Sequence, residues 1–200
     1  MKFKTFLILL LALVPLSLLS LSGYASERKP LIVVGDANFP PVEYIEDGRI
    51  KGFNTEIWQE LSKAMNRPVE IRLMLWKDAQ QKVLNGEADA LTLPGRTEKR
   101  EKLYDFSEPT LTFEFFFFVR SDGPPIESIN DLEGKIIGVT KGGYAREVLE
   151  PNKDIKLLFI KNNLEGFRLL TSRKIDAMGT DKWVGAFTIQ KHQIKGINIL

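Results

Sequence analysis

Residues 31–44 read Leu31-Ile32-Val33-Val34-Gly35-Asp36-Ala37-Asn38-Phe39-Pro40-Pro41-Val42-Glu43-Tyr44. Four consecutive aliphatic residues halted by Gly35-Asp36 have the form of a short buried strand that runs into a turn. Working outward, a turn falls at Glu46-Asp47-Gly48-Arg49, and a helix begins near Asn54, with Ile57, Trp58, Leu61, Ala64 and Met65 at helical spacing. Pro68 opens an extended run from Val69 to Leu73. A second helix fits Asp78 to Leu84, closed by Asn85-Gly86, and a strand fits Asp89 to Leu93. The second half follows the same grammar: strand Ile136 to Val139, helix Gly143 to Leu149, strand Ile155 to Ile160, helix Asn163 to Leu170, strand Ile175 to Met178 and a helix from near Asp181. Repeated strand–helix units predict an α/β fold rather than a helical bundle.

An internal echo joins the halves. Leu84-Asn85-Gly86-Glu87-Ala88-Asp89-Ala90 resembles Leu170-Thr171-Ser172-Arg173-Lys174-Ile175-Asp176-Ala177, each a helix end returning into a strand. Two similar lobes and convergent punctuation both account for it. Between the halves, Phe113-Glu114-Phe115-Phe116-Phe117-Phe118-Val119 is too aromatic for a solvated loop, and Ser121-Asp122-Gly123-Pro124-Pro125 follows as an exposed linker. Left bare, the Phe run would aggregate, so the fold must cover both of its faces, as a strand crossing between two lobes allows. The expected division is 26–119 for the first lobe with its hinge strand and 120–200 for the second lobe. Gly196-Ile197-Asn198-Ile199-Leu200 reads as a strand with no closing element, so the chain is expected to be C-terminally truncated.

The 200 residues contain 28 basic and 26 acidic side chains, no Cys and one His, His192. No disulfide framework is possible, and zinc, haem-thiolate and iron–sulfur sites lack their ligands. No cofactor or metal is expected. Residues 1–25 carry Lys2 and Lys4, an apolar run from Phe6 to Leu21 and the small-residue pattern Gly23-Tyr24-Ala25, the form of a secretory signal. The run is shorter than the roughly 20 residues of a membrane span and contains Pro15, so cleavage after Ala25 is expected rather than retention as an anchor. Cleavage removes two Lys and no acid, which leaves the exported chain electrically balanced. A neutral chain has no global field for nucleic acid. Its partner is expected to be small and selected by a pocket, in the periplasm or outside the cell.

The segment Val34-Gly35-Asp36-Ala37-Asn38-Phe39-Pro40-Pro41-Val42-Glu43-Tyr44, followed by Gly52-Phe53-Asn54-Thr55-Glu56-Ile57, resembles the opening of bacterial family 3 extracellular solute-binding proteins of the polar amino-acid type. Gly86-Glu87-Ala88-Asp89-Ala90, Thr97-Glu98-Lys99-Arg100, Tyr104-Asp105-Phe106-Ser107-Glu108-Pro109, Asp131-Leu132-Glu133-Gly134-Lys135 and Ile175-Asp176-Ala177 extend the resemblance in order from about Leu31 to Leu200. It implies a Venus flytrap of the type II periplasmic-binding-protein class: two α/β lobes joined by crossing hinge strands, with a ligand held between them. The family's chain returns to the first lobe after the second, and that return is expected to be missing here.

Asp36 and Phe39 follow the first strand, where open α/β sheets place ligands. Phe39 either stacks on a ligand or packs against Pro40-Pro41. Trp76 either lines the opposite wall or belongs to the core. Arg100 presents a planar fork that matches a carboxylate, and the family places an Arg there for the α-carboxylate; the alternative is a solvated charge. Asp181 aligns with the family acid that takes an α-ammonium group, and a helix N-cap explains it equally well. Gly142 and Gly143 open a helix whose N–H groups suit an anion, or they are plain turn glycines. Thr92 and Gly95 complete the candidate set, in a segment one residue shorter than in typical amino-acid binders. There Pro94-Gly95 replaces the family's hydroxyl pattern, which implies a remodelled carboxylate clamp and looks more like the sensor domains of membrane histidine kinases and diguanylate cyclases. The implied function is non-catalytic capture of an amino acid or related organic acid by lobe closure, for a membrane ABC permease; the alternative is sensing for the chain's own downstream signalling module. A dehydratase-like enzyme on the same fold is the remote third reading.

Overall fold

Val33 and Val34, both fully buried, place β1 (Leu31–Asp36) at the centre of a three-stranded parallel sheet. β5 (Val69–Met74) lies on one side, in register from Leu31 opposite Val69 to Asp36 opposite Met74, and β6 (Ala90–Leu91) lies on the other. The computed structural model describes residues 28–124, 126 and 128–200; the expected export signal at 1–25 and Pro125 of the linker lie outside them. After β1 the chain folds into a small antiparallel sheet of β2 (Asn38–Phe39), β3 (Glu43–Glu46) and β4 (Arg49–Lys51). Asp47 and Gly48 turn between β3 and β4 with φ of 51° and 71°, the two left-handed residues of a tight hairpin.

Helix α1 (Phe53–Ala64) starts where the periodicity predicts, and it buries Asn54 and Thr55 at its first turn. The far end of its apolar stripe differs from the expectation: Leu61 and Met65 stay 36% and 39% exposed, because the helix meets the lobe through its N-terminal end. α2 (Trp76–Leu84) begins two residues earlier than predicted and packs Trp76 and Ala79 on Val34, Ala88 and Leu91. A four-residue helix, α3 (Glu98–Glu101), ends the first lobe's elements.

The second lobe is a five-stranded sheet in the order β11 (Ile197–Ile199), β7 (Phe115–Arg120), β10 (Ala177–Asp181), β8 (Ile136–Thr140), β9 (Lys156–Ile160). β8, β9 and β10 are parallel, β7 is antiparallel to β10, and β11 is antiparallel to β7, so it points back toward the first lobe. β7 is the strand expected to belong with the first lobe as its hinge, and its ladder partners are β10 and β11 of the second sheet. α4 (Tyr144–Leu149), α5 (Asn163–Thr171) and α6 (Lys182–Lys191) connect these strands.

Side-chain alternation along β7 resolves the aromatic run. Phe115, Phe117 and Val119 join Ile137, Val139, Ala145 and Leu149 on one face, while Phe116 and Phe118 join Ile160, Phe167, Leu170 and Met178 on the other. Both faces are covered, as the sequence requires.

The echo between the halves has a structural cause. Asp89 donates its N–H to the Ile32 carbonyl at 2.8 Å, and its carboxylate accepts the Ile32 N–H at 2.7 Å. Asp176 forms the same bracket on Ile136, at 2.8 and 2.9 Å. Each lobe thus pins the start of one parallel strand, β1 or β8, with an Asp that precedes a returning strand. The carboxylate takes the place of a ladder bond, which is why β6 and β10 begin one residue after the Asp rather than at or before it.

Gly185 of α6 rests on the Phe118 ring: a Cβ there would lie 2.1 Å from Phe118 Cζ. Gly185→Ala is expected to lower the unfolding free energy by about 1–3 kcal/mol through overpacking, read from the urea midpoint; an unchanged midpoint would show that the ring yields freely.

Candidate functional site

Arg100 and Trp76 of the first lobe meet Gly142 and Glu147 of the second. Thr97 caps α3 by accepting the Arg100 N–H at 3.2 Å, and this short helix aims the Arg100 side chain across the gap. Arg100 is buried, so it is no solvated charge. Its Nη1 donates to the Gly95 carbonyl at 2.9 Å and its Nη2 to the Gly142 carbonyl at 3.2 Å. Its Nε donates to Glu147 Oε1 at 3.2 Å, and Nη2 lies 3.1 Å from the same oxygen. Thr97 Oγ1 donates to Glu147 Oε2 at 3.0 Å. Trp76 closes the arrangement: its Nε1 donates to the Gly142 carbonyl at 3.0 Å, and its ring centroid is 5.7 Å from the Arg100 guanidinium carbon. Trp76 therefore serves the core and the lobe interface together.

Glu147, in the first turn of α4, is the residue that sequence reasoning missed. Nothing local marks it, since it stands in an ordinary amphipathic helix 47 residues from its partner. The glycines beside it also differ from expectation. Gly143 donates its N–H to the Thr140 carbonyl at 3.0 Å, and Gly142 turns its carbonyl toward Arg100. The positive φ of Gly142, 75°, sets that direction. This turn therefore faces a cation with an acceptor rather than an anion with donors.

Asp36 and Thr92 converge on a second missed residue, Glu43. Glu43 Oε1 accepts the Asp36 N–H at 2.8 Å and the Thr92 hydroxyl at 2.7 Å, while Oε2 accepts the Asn54 amide at 2.8 Å. Burial pushes the Glu43 carboxyl up, opposed by these donors. Burial likewise raises Asp36 to about 7, against the Asn38 N–H that its Oδ1 accepts at 2.9 Å and with help from the Glu43 charge. Phe39 meets Phe113 edge-on at 5.8 Å. The same loop reaches the other lobe: the Asn38 carbonyl accepts the Asn163 amide at 3.5 Å.

Asp181 caps α6. Its Oδ1 accepts the Trp183 and Val184 N–H groups at 2.8 and 3.2 Å. Its Oδ2 is buried with no hydrogen-bond partner, and burial lifts the carboxyl above its ordinary range despite the helix N–H groups. Asp181 lies opposite Phe115 in the β10–β7 ladder, Phe115 packs on Tyr144 at 5.4 Å, and Tyr144 approaches Gly95 beside Arg100. These contacts run from Asp181 of one lobe to Gly95 of the other, whose carbonyl accepts from Arg100. A further interlobe contact comes from the hairpin, where Glu46 pairs with Lys51 and with Lys191 of α6, and Tyr44 packs on Phe187 at 6.2 Å. The two lysines hold the Glu46 carboxyl well below the usual range. Beside the Arg100 pair a groove of about 390 Å³ is lined by Thr97, Lys99, Lys102, Glu147 and Val148.

Residues 31–193 match the family described as bacterial extracellular solute-binding proteins, family 3, and the chain belongs to that family. It is 32% identical over 128 residues to the arginine-binding extracellular protein ArtP of Bacillus subtilis, a match that covers 63% of this chain and 49% of ArtP. The chain thus spans about half the length of that relative. Among solved structures, a histidine kinase sensor domain with similarity to periplasmic binding proteins superposes with a TM-score of 0.81 at 26% identity, covering 87% of this chain and 77% of the other. An ancestral arginine-binding protein bound to arginine superposes at 0.78 with 26% identity, covering 87% and 79%. Among the described residues no helix is long and apolar enough to cross a membrane.

Asp36 generates a pH signature. Its folded-state value is raised from 3.8 to about 7, so the folded protein holds a proton there that the unfolded chain releases near pH 4. This group therefore favours folding at low pH, and its contribution falls as pH rises between those values. In the ligand-free protein, the melting temperature of Asp36→Asn relative to the parent should increase from pH 4 to pH 7 and then level off. A pH-independent difference would refute the assignment.

Proposed function

We propose that this family 3 chain captures a small amino acid or related polar carboxylate outside the cytoplasm by closing its two lobes, and delivers it to a membrane ABC permease. The observation that carries the reading is the pair of buried, oppositely charged groups contributed by opposite lobes: Arg100, and Asp181 with an unpartnered Oδ2. A zwitterion presents complementary charges to both, and charge-assisted hydrogen bonds strengthen as the closing lobes exclude water. Closure is then a population shift, since a ligand that touches both lobes stabilises the closed arrangement by the contacts it lacks in the open one. Phe39 and Trp76 would offer aromatic surface to the ligand's stem, and Asp36 and Thr92 a polar wall around the buried Glu43.

A second reading has its own support. The likeness to a histidine kinase sensor domain favours ligand sensing, in which the same closure feeds a signalling module rather than a permease. Both uses need the same binding step. Calorimetry with a panel of amino acids and organic acids tests that step, and ligand-dependent stimulation of a reconstituted permease's ATP hydrolysis separates the uses.

Asp181→Asn keeps an Oδ1 acceptor for the α6 cap and removes the charge. Affinity for an amine-bearing amino acid should fall about 10- to 100-fold, the range of a charge-assisted hydrogen bond. Affinity for the corresponding plain carboxylate should change far less. Equal losses for both ligands would reduce Asp181 to a helix cap.

A further inference from the structure

Glu147 has no part in amino-acid capture as described above, yet it occupies the group on which that capture depends. The Arg100 and Glu147 side chains are 3% and 12% exposed, so the pair is withdrawn from water between the lobes. A guanidinium has five N–H donors. Here Nε and Nη2 face Glu147, Nη2 also meets the Gly142 carbonyl, and Nη1 meets the Gly95 carbonyl. A carboxylate binds a guanidinium bidentately either through Nη1 and Nη2 or through Nε and Nη2. Both modes need Nη2, which is already held from the second lobe. Thr97 completes the grip by donating to the other Glu147 oxygen.

We propose that Glu147 is a tethered stand-in for a ligand carboxylate: it fills the Arg100 fork, holds the lobes together in the empty protein, and must be displaced before a ligand's own carboxylate can bind. The inference rests on the reading of Arg100 as the carboxylate-binding group. It deepens that reading by assigning ligand preference to Glu147. An amino acid exchanges one carboxylate for another at Arg100, whereas the corresponding amine without a carboxylate leaves the Glu147 contact intact and binds through Asp181. Separating the lobes returns both partners to water, so the exchange has a route.

The test starts without ligand. The chain contains no Cys, so Glu60→Cys on α1 and Arg168→Cys on α5, both exposed, accept a single pair of spin labels for distance measurement. Glu147→Gln should broaden and lengthen the interlobe distance distribution; a distribution that superimposes on the parent's overturns the proposal. If Glu147→Gln fails to fold, Glu147→Asp keeps the charge but withdraws it by one methylene. It should open the lobes in the same way, and a parental distribution for it overturns the proposal equally. Calorimetry with arginine and its decarboxylated amine, agmatine, then reads the exchange. The arginine-to-agmatine affinity ratio should rise about tenfold, a difference of about 1.4 kcal/mol, in Glu147→Gln, and an unchanged ratio overturns the displacement step. Binding of neither compound, with the lobes opened by Glu147→Gln, would overturn the amino-acid reading and uphold Glu147 as the contact that closes the lobes.

Discussion

A guanidinium taken out of water must have its anion within reach, and Arg100 finds its anion on the opposite lobe. An unpaired buried charge costs several kcal/mol, while a paired one constrains geometry. The Arg100–Glu147 contact, almost closed to solvent, thus specifies how the lobes meet. Local features converge on it. Thr97 caps a four-residue helix, Gly95 offers a carbonyl after Pro94, and Gly142 adopts a left-handed backbone that directs another carbonyl inward. The Glu46–Lys191 pair also joins the lobes, but its side chains stay partly open to solvent, so it is screened more than the Arg100 pair.

The fold was largely legible because its strands are aliphatic runs bounded by turn residues. The aromatic stretch 113–119 announced a strand covered on both faces, and the alternation of Phe115 and Phe117 against Phe116 and Phe118 bears this out. The resemblance of residues 84–90 to 170–177 carried more than punctuation, since Asp89 and Asp176 bracket the starts of β1 and β8 through the same pair of hydrogen bonds. The strand boundaries before β6 and β10 were not legible. Whether a carboxylate replaces a ladder bond depends on a partner strand far away in sequence, and periodicity does not report that partner. The exposure of Leu61 and Met65 was hidden for a related reason: a helical stripe shows which face is apolar, not how much of it a neighbour covers.

Among the candidate site residues, those with a distinctive chemical form were readable. Arg100, Trp76, Gly95 and Gly142 do come into one cluster, and Asp36 and Thr92 share Glu43. The carboxylates that organise both clusters were not singled out. Glu43 lies inside a quoted motif but looks like any acid of a hairpin, and Glu147 looks like a solvent-facing helix residue. Their roles arise from burial and from donors supplied by other elements, quantities that one sequence does not contain. Gly142 teaches the converse lesson. A glycine at a helix start suggests N–H groups offered to an anion, yet the φ it adopts turned the carbonyl inward instead.

These asymmetries bear on where ligand affinity comes from. At Arg100 a carboxylate contacts the guanidinium before binding and, under the exchange proposed, after it as well. The net gain there is the difference between two similar contacts. Asp181 is in another position. Its Oδ2 is desolvated without a hydrogen-bond partner, so the helix N–H groups on Oδ1 offset the cost of burying this carboxyl only in part. An ammonium group placed against that oxygen supplies a contact with no counterpart in the empty state. Under the proposed capture, the amine end of the ligand would then supply the contact that most favours the closed, loaded form. The carboxylate end decides whether the ligand competes with Glu147 and in which orientation it sits. Under the proposed capture, the site would select first for a cationic nitrogen and only then for the acid attached to it, although Arg100 viewed alone suggests the reverse order.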